Sequence, residues 1–162
     1  VIGIAGSQEK CDWLVKDLGI DGSINYKTDN LRGKLKELCP KGIDIYFENV
    51  GGPITDAVLS RMNIGSRISL CGLISAYNAE SIAPGPAWGN LLVKRINLKG
   101  FIVFDYIKRY LEAYQDLSNW VRDGKIKYKN DIVPVLENAS HAIKKLFSGE
   151  NNGKLIVQIA DL

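Results

Sequence analysis

Apolar and polar positions along this chain follow two rhythms that take turns. Short β-prone apolar runs predict strands: "VIGIAG" at 1–6, "SINY" at 23–26, "IDIYF" at 43–47, "GSRISLCG" at 65–72 and "INLKGFIVF" at 96–104. Helical spacing fills the intervals. Cys11, Leu14, Val15 and Leu18 recur at i, i+3, i+4 and i+7 and predict a helix over 8–18, stopped by Gly19. Leu31, Leu35 and Leu38 mark a second, stopped by Pro40. Ile54, Ala57, Val58 and Met62 stripe a third, which opens at Pro53, a residue suited to a first helical turn. The longest helix is predicted over 107–123, with Ile107, Tyr110, Leu111, Tyr114, Leu117 and Val121 on one face, read as core packing. An extended piece at 132–135, a helix near 139–147 and a closing strand in "GKLIVQIA" complete the pattern. The polar, Pro- and Gly-punctuated stretch "LISAYNAESIAPGPAWGN" (73–90) predicts a long loop, and long loops inside compact domains tend to carry function.

Strands separated by helices of about ten residues predict βαβ units: an α/β, Rossmann-like, doubly wound and mostly parallel sheet, covered on both faces. Residues 1–162 read as one domain, without internal repeats or an interior linker. No G-x-G-x-x-G stands between a strand and a helix. The layout fits such a sheet from its second strand onward, so the chain is expected to be a fragment lacking the first strand, its glycine loop and the following helix. In the order 3-2-1-4-5-6 that strand is central. Its loss would leave two parallel edges unpaired, at about 1–3 kcal/mol per orphaned buried group. Such edges are expected to re-pair, to borrow a strand from a partner chain, or to keep the cut-off piece bound.

Composition changes this picture little. Lys and Arg number 21 against 18 Asp and Glu, a net charge of +3, and the basic residues are scattered. Nucleic acid is not an expected partner. No apolar run approaches the ~20 residues that span a bilayer, so no membrane is expected. Cys11, Cys39 and Cys71 lack metal-ligand spacing, and His141 has no visible base partner. No metal site is expected. Three unpaired thiols suit a reducing compartment, and the cytoplasm is the expected location.

The candidate chemistry begins at the tip of the opening strand. In nucleotide-binding sheets an acidic residue at the end of the second strand accepts hydrogen bonds from the adenosine ribose and repels a 2′-phosphate. Here Gly6 and Ser7 stand in that place, followed by Lys10 at the start of a helix, with Tyr26 after the next strand. A hydroxyl, helix N-terminal amides and an ammonium suit a phosphate, hence NADP(H). The same residues also read as a plain helix cap and a solvated lysine. From the residues alone Asn49 reads as a turn residue feeding Gly51 and Gly52, Tyr77 as an ordinary loop aromatic, and "PGP" (84–86) with Trp88 as a stiffened loop or a pocket wall.

The strings "GIAGSQEKCDWL", "INYKTDNL", "GIDIYFENVGG", "GSRISLCGLISAYN", "PGPAWGNLLVKRINLKGFIVFDY" and "SGENNGKLIVQIA" resemble, in order and over nearly the whole chain, the zinc-independent medium-chain dehydrogenase/reductases. Within these the resemblance is to the leukotriene B4 12-hydroxydehydrogenase / prostaglandin reductase group and the bacterial curcumin-reductase-like enzymes. It implies a Rossmann cofactor domain accompanied, in family members, by an N-terminal GroES-like catalytic domain. It implies NADPH-dependent, metal-free reduction of the C=C bond of α,β-unsaturated ketones and aldehydes. Carried over, Lys10 meets the 2′-phosphate and Tyr26 lines the same pocket, where the residues themselves already suggest Ser7; Asn49 meets the cofactor, Cys71, Gly72, Leu73, Ile74 and Ser75 the nicotinamide side, Phe101, Ile102 and Val103 the region of its ring, and Asn151 the cofactor again. Tyr77 is the candidate catalytic residue, since a phenol carries its proton at neutral pH and can serve a developing enolate. Quinone reduction on the same fold, or a nucleotide-binding module without chemistry, are the rival readings. The resemblance also implies a homodimer joined through the edge strand 96–104.

Overall fold

A computed structural model of the chain describes residues 1–81 and 85–160, and every paired strand in it runs parallel to its neighbour. β1 (Ile2–Ala5) leads through α1 (Gln8–Lys16) to β2 (Gly22–Asn25), and α2 (Leu31–Leu38) leads on to β3 (Ile43–Glu48). α3 (Pro53–Arg61) passes without a loop into β4 (Met62–Leu70), and α4 (Trp88–Lys94) precedes β5 (Asn97–Gly100). α5 (Tyr110–Arg122), β6 (Asn130–Pro134), α6 (Ala139–Ser148) and β7 (Lys154–Gln158) follow. The ladders are β1-β2, β3-β4-β5 and β6-β7.

Local chemistry accounts for most boundaries. Ser7 caps α1 by accepting a hydrogen bond from the Lys10 amide at 3.3 Å, and Asn30 caps α2 through the Gly33 amide at 3.1 Å. Such caps contribute about 1 kcal/mol each. Gly3 lets α1 press onto β1, because a Cβ there would stand 2.8 Å from Leu14 and 2.9 Å from Ile20.

The core joins the first two ladders. Ile24 from β2, Leu35 from α2, Ile54, Val58 and Leu59 from α3, and Met62 and Ile68 from β4 form one buried cluster. β1 and β3, in contrast, share no ladder. Between them runs a cleft of about 730 Å³, lined by Val1, Ile2 and Ile4 on one side and residues 43–50 on the other. Ile45 and Phe47 are 65% and 61% exposed on this side of the fold. The predicted alternation of strand and helix is therefore present, and the sheet is divided at the place between β1 and β3.

Four expectations change. The stretch 73–90 is not all loop: Ile74–Ala76 form a 3-10 turn and α4 starts at Trp88. Helix α4 is recruited by long-range contacts, with Asp56 accepting from the Ala87 amide at 3.0 Å and the Lys94 ammonium reaching the carbonyls of Leu59 and Ser60. The strand predicted over 96–104 stops at Gly100, because the Asp105 carboxylate accepts from the Ile102 amide at 3.1 Å and starts a 3-10 helix, Val103–Arg109. That helix takes the first turn of the one predicted over 107–123, so α5 begins only at Tyr110. The stripe read as core is exposed, Tyr110 at 41% and Tyr114 at 71%; the element that packs most against α5 among the described residues is the adjoining 3-10 helix, which leaves this face open.

Candidate functional site

The tip of β1 gathers the first group. Gly6 permits close approach: a Cβ there would lie 3.1 Å from both the Cε1 and the hydroxyl of Tyr26, and 3.3 Å from Cε of Lys27. The Tyr26 amide donates to the Ala5 carbonyl at 3.0 Å, which pins the residue after β2 against the end of β1. Ser7 opens α1, and one turn in, the Lys10 ammonium donates to the Gly149 carbonyl at 2.5 Å. Ser7 thus does act as a helix cap, and its oxygen stands at the positive end of α1. Lys27 was not singled out by sequence. Its only signal is adjacency to Tyr26, and the turn after β2, where its amide donates to Asn25 Oδ1, brings it to Gly6.

The second group forms at the ends of β3 and β4. Gly72 is the meeting point. A Cβ on it would stand 2.5 Å from Asn49 Oδ1 and 3.1 Å from the Tyr77 hydroxyl. The Leu73 amide donates to the Tyr77 oxygen at 3.5 Å, while the ring itself is 63% exposed. Cys71, Gly72, Leu73, Tyr77, Phe101 and Ile102 line one cleft of about 460 Å³. Ile74 and Ser75 turn the other way and bond back to the carbonyls of Asn49 and Val50. Val103 faces a separate hollow with Tyr106 and Tyr110. Asn151 lies apart from this group, its amide donating to the Gly153 carbonyl at 2.9 Å. Its neighbours Gly149 and Asn152 bond to Lys10 and Glu9 of α1, which brings this segment of the chain alongside the first turn of α1. Trp88 packs against Gly85; Pro84, the first residue of the "PGP" stretch, lies outside the described residues.

Sequence reasoning also passed over Glu48, which ends β3 and is 2% exposed. Its carboxylate accepts from the amides of Val50 at 2.6 Å and Gly51 at 2.9 Å, from the Tyr46 hydroxyl at 2.8 Å and from Thr55 Oγ1. Burial pushes its pKa up, and the bonds from Thr55, Val50, Gly51 and Tyr46 outweigh that and hold it below the ordinary glutamate value. Burial and the adjacent carboxylate push the Tyr46 phenol well above its usual range. Nothing in a lone "FEN" marks this glutamate as buried.

A model of one protein family, described as zinc-binding dehydrogenase, matches residues 1–121. The chain belongs to that family. The family's name implies zinc, but the described residues hold no cluster of three or more His, Cys, Asp or Glu able to bind a metal. Among its relatives, the NADPH-dependent curcumin reductase of Escherichia coli is 42% identical over 99% of this chain and 48% of its own length. A 2-alkenal reductase (NADP(+)-dependent) of Nicotiana tabacum is 44% identical over 99% of the chain and 47% of its own. The crystal structure of CurA in complex with NADPH, from Vibrio vulnificus, superposes with a TM-score of 0.93 at 47% identity, over all of this chain and 50% of CurA. The chain thus spans about half the length of the relatives it matches.

Proposed function

We propose that residues 1–162 form the NADP(H)-binding domain of a reductase that uses NADPH to reduce the C=C bond of α,β-unsaturated ketones and aldehydes. The observation that carries this reading is the convergence of Asn49 and Tyr77 on Gly72, in a cleft bounded by Phe101 and Ile102. The similarity to a curcumin reductase, a 2-alkenal reductase and CurA with NADPH supports the substrate class and the cofactor.

The residues fit the cofactor. Ser7, Lys10 and Tyr26, with Lys27 close by, offer hydroxyls and ammonium groups around a strand end where Gly6 and Ser7 stand in place of an acidic residue, which suits a 2′-phosphate. Asn49, the Cys71–Ser75 backbone and the 101–103 segment would hold the nicotinamide end, and Asn151 would reach the cofactor from the segment tied to α1. When bound, the reduced nicotinamide supplies a hydride for the β-carbon of the substrate. The chain's part is to meet the negative charge that builds on the carbonyl oxygen and to deliver a proton to the α-carbon. Tyr77 is the donor for either task, because its hydroxyl lies in the cleft, 3.5 Å from the Leu73 amide, and is open to a substrate.

Among the described residues the outer edge of β5 has no ladder partner, which supports pairing of two copies through Asn97–Gly100, the strand part of the 96–104 segment. Three free thiols, one of them exposed, support a reducing cytoplasm. No helix among the described residues is long and apolar enough to cross a membrane. The test is a panel of enones, enals and quinones with NADPH and NADH, run on the full protein. Enone and enal turnover with a preference for NADPH is expected. Turnover of quinones alone, or no binding of NADPH, would overturn the reading.

A further inference from the structure

We propose that Glu48 is a positioning residue: its buried carboxylate clamps the turn after β3 from the inside, and that turn in turn sets the place of the whole 71–77 loop. The proposal rests on the reading above only in taking Tyr77 as the group that meets substrate.

The carboxylate has no cationic partner among its contacts; all four groups on it are neutral donors. Two of them, the amides of Val50 and Gly51, belong to a turn whose glycines adopt φ of +85° and +65°, a conformation open to glycine at little cost. A turn of this kind has few bonds of its own, and Glu48 supplies two. The outward side of the same backbone carries the loop. The Glu48 carbonyl accepts from the amides of Cys71 at 2.8 Å and Gly72 at 3.3 Å. The Asn49 carbonyl accepts from Ile74 at 3.2 Å, and the Val50 carbonyl accepts from both the amide and the hydroxyl of Ser75, at 3.0 and 2.6 Å. Every one of these acceptors lies within two residues of the clamp. Asn49 and Tyr77 meet at Gly72 because both ends of this bracket are held.

Hydrogen exchange tests this without reference to catalysis. In Glu48→Leu, which keeps volume but removes the acceptors, the amides of residues 50–51 and 72–77 are expected to exchange at least tenfold faster, with those of β2 unchanged. Glu48→Gln is expected to retain protection, since the Tyr46 and Thr55 hydroxyls can rotate to accept from its amide and leave its oxygen to the turn. Should the leucine variant not fold, the unsubstituted protein still decides: the amides of Val50, Gly51, Ile74 and Ser75 should then share one protection factor within about threefold, as groups that open together. Faster exchange at 50–51 with 72–77 unchanged, or unequal protection in the unsubstituted protein, overturns the clamp. A loosened loop in a full protein that reduces no enone would leave the clamp standing and remove the enzymatic reading instead.

Discussion

The ammonium of Lys10 lies 2.5 Å from the carbonyl oxygen of Gly149, so the first turn of α1 is tied to the C-terminal end of α6, 139 positions along the chain. The carbonyls that end a helix carry its partial negative charge, and a cation is well placed there. Asn152 and Glu9 make a second link across the same junction. One donor of the ammonium is therefore engaged at this junction.

Lys10→Ala in the full protein is expected to raise the KM for NADPH while leaving that for NADH nearly unchanged. Loss of one charge-assisted bond, about 1.5–3 kcal/mol, corresponds to roughly 10- to 150-fold. Steady-state kinetics with both cofactors measures it, and an unaltered preference would remove Lys10 from the phosphate site.

Gly72→Ala places a methyl 2.5 Å from Asn49 Oδ1 and 3.1 Å from the Tyr77 hydroxyl. Both are side-chain ends that can swing aside, so the melting temperature should move little. Enone reduction should fall by about tenfold or more, since catalytic groups displaced by an ångström lose much of their effect. Calorimetry alongside an activity assay separates the two outcomes.

Tyr77→Phe removes the phenol and little else from an exposed ring. Lowered kcat, by about 10²-fold or more if the phenol transfers the proton, is expected with unchanged affinity for NADPH. Titration of cofactor binding by nucleotide fluorescence, beside kcat, reveals whether the loss is confined to the chemical step.

Stability should depend on pH through Asp131. The hydrogen bond from Lys145 and then that from the Asn152 amide hold its pKa below the ordinary aspartate value. A depressed folded-state pKa stabilises above the unfolded pKa and ceases to do so as pH falls through the folded value. Asp131→Asn should therefore melt below the natural chain at pH 7, and the gap should close below about pH 4. Melting curves across that range show it; a gap independent of pH would exclude the ionised pair as its source.

Much of the candidate site could be proposed before the fold was known, and the omissions have a common cause. Gly6, Ser7 and Lys10 are neighbours in sequence and on one helix start, so their joint chemistry was visible. Lys27 and Glu48 were missed because a lysine beside a tyrosine, or a glutamate at a strand end, most often faces water. Only the packing shows one against Gly6 and the other 2% exposed beneath a turn. Tyr110 and Tyr114 failed in the opposite sense: helical spacing reports an apolar face, not what lies against it.

The alternation of strands and helices outside residues 73–109, the cap at Ser7 and the Gly6–Ser7 pair in place of an acidic residue at the tip of β1 were determined by the sequence alone, because each depends on residues within a turn or two of one another. The tertiary structure decided that β5 ends at Gly100, that α4 forms, that β1 and β3 flank a cleft, and that Asn49 meets Tyr77 over Gly72. Those outcomes depend on which backbone donors and acceptors distant in the chain find one another, and local periodicity carries no record of that.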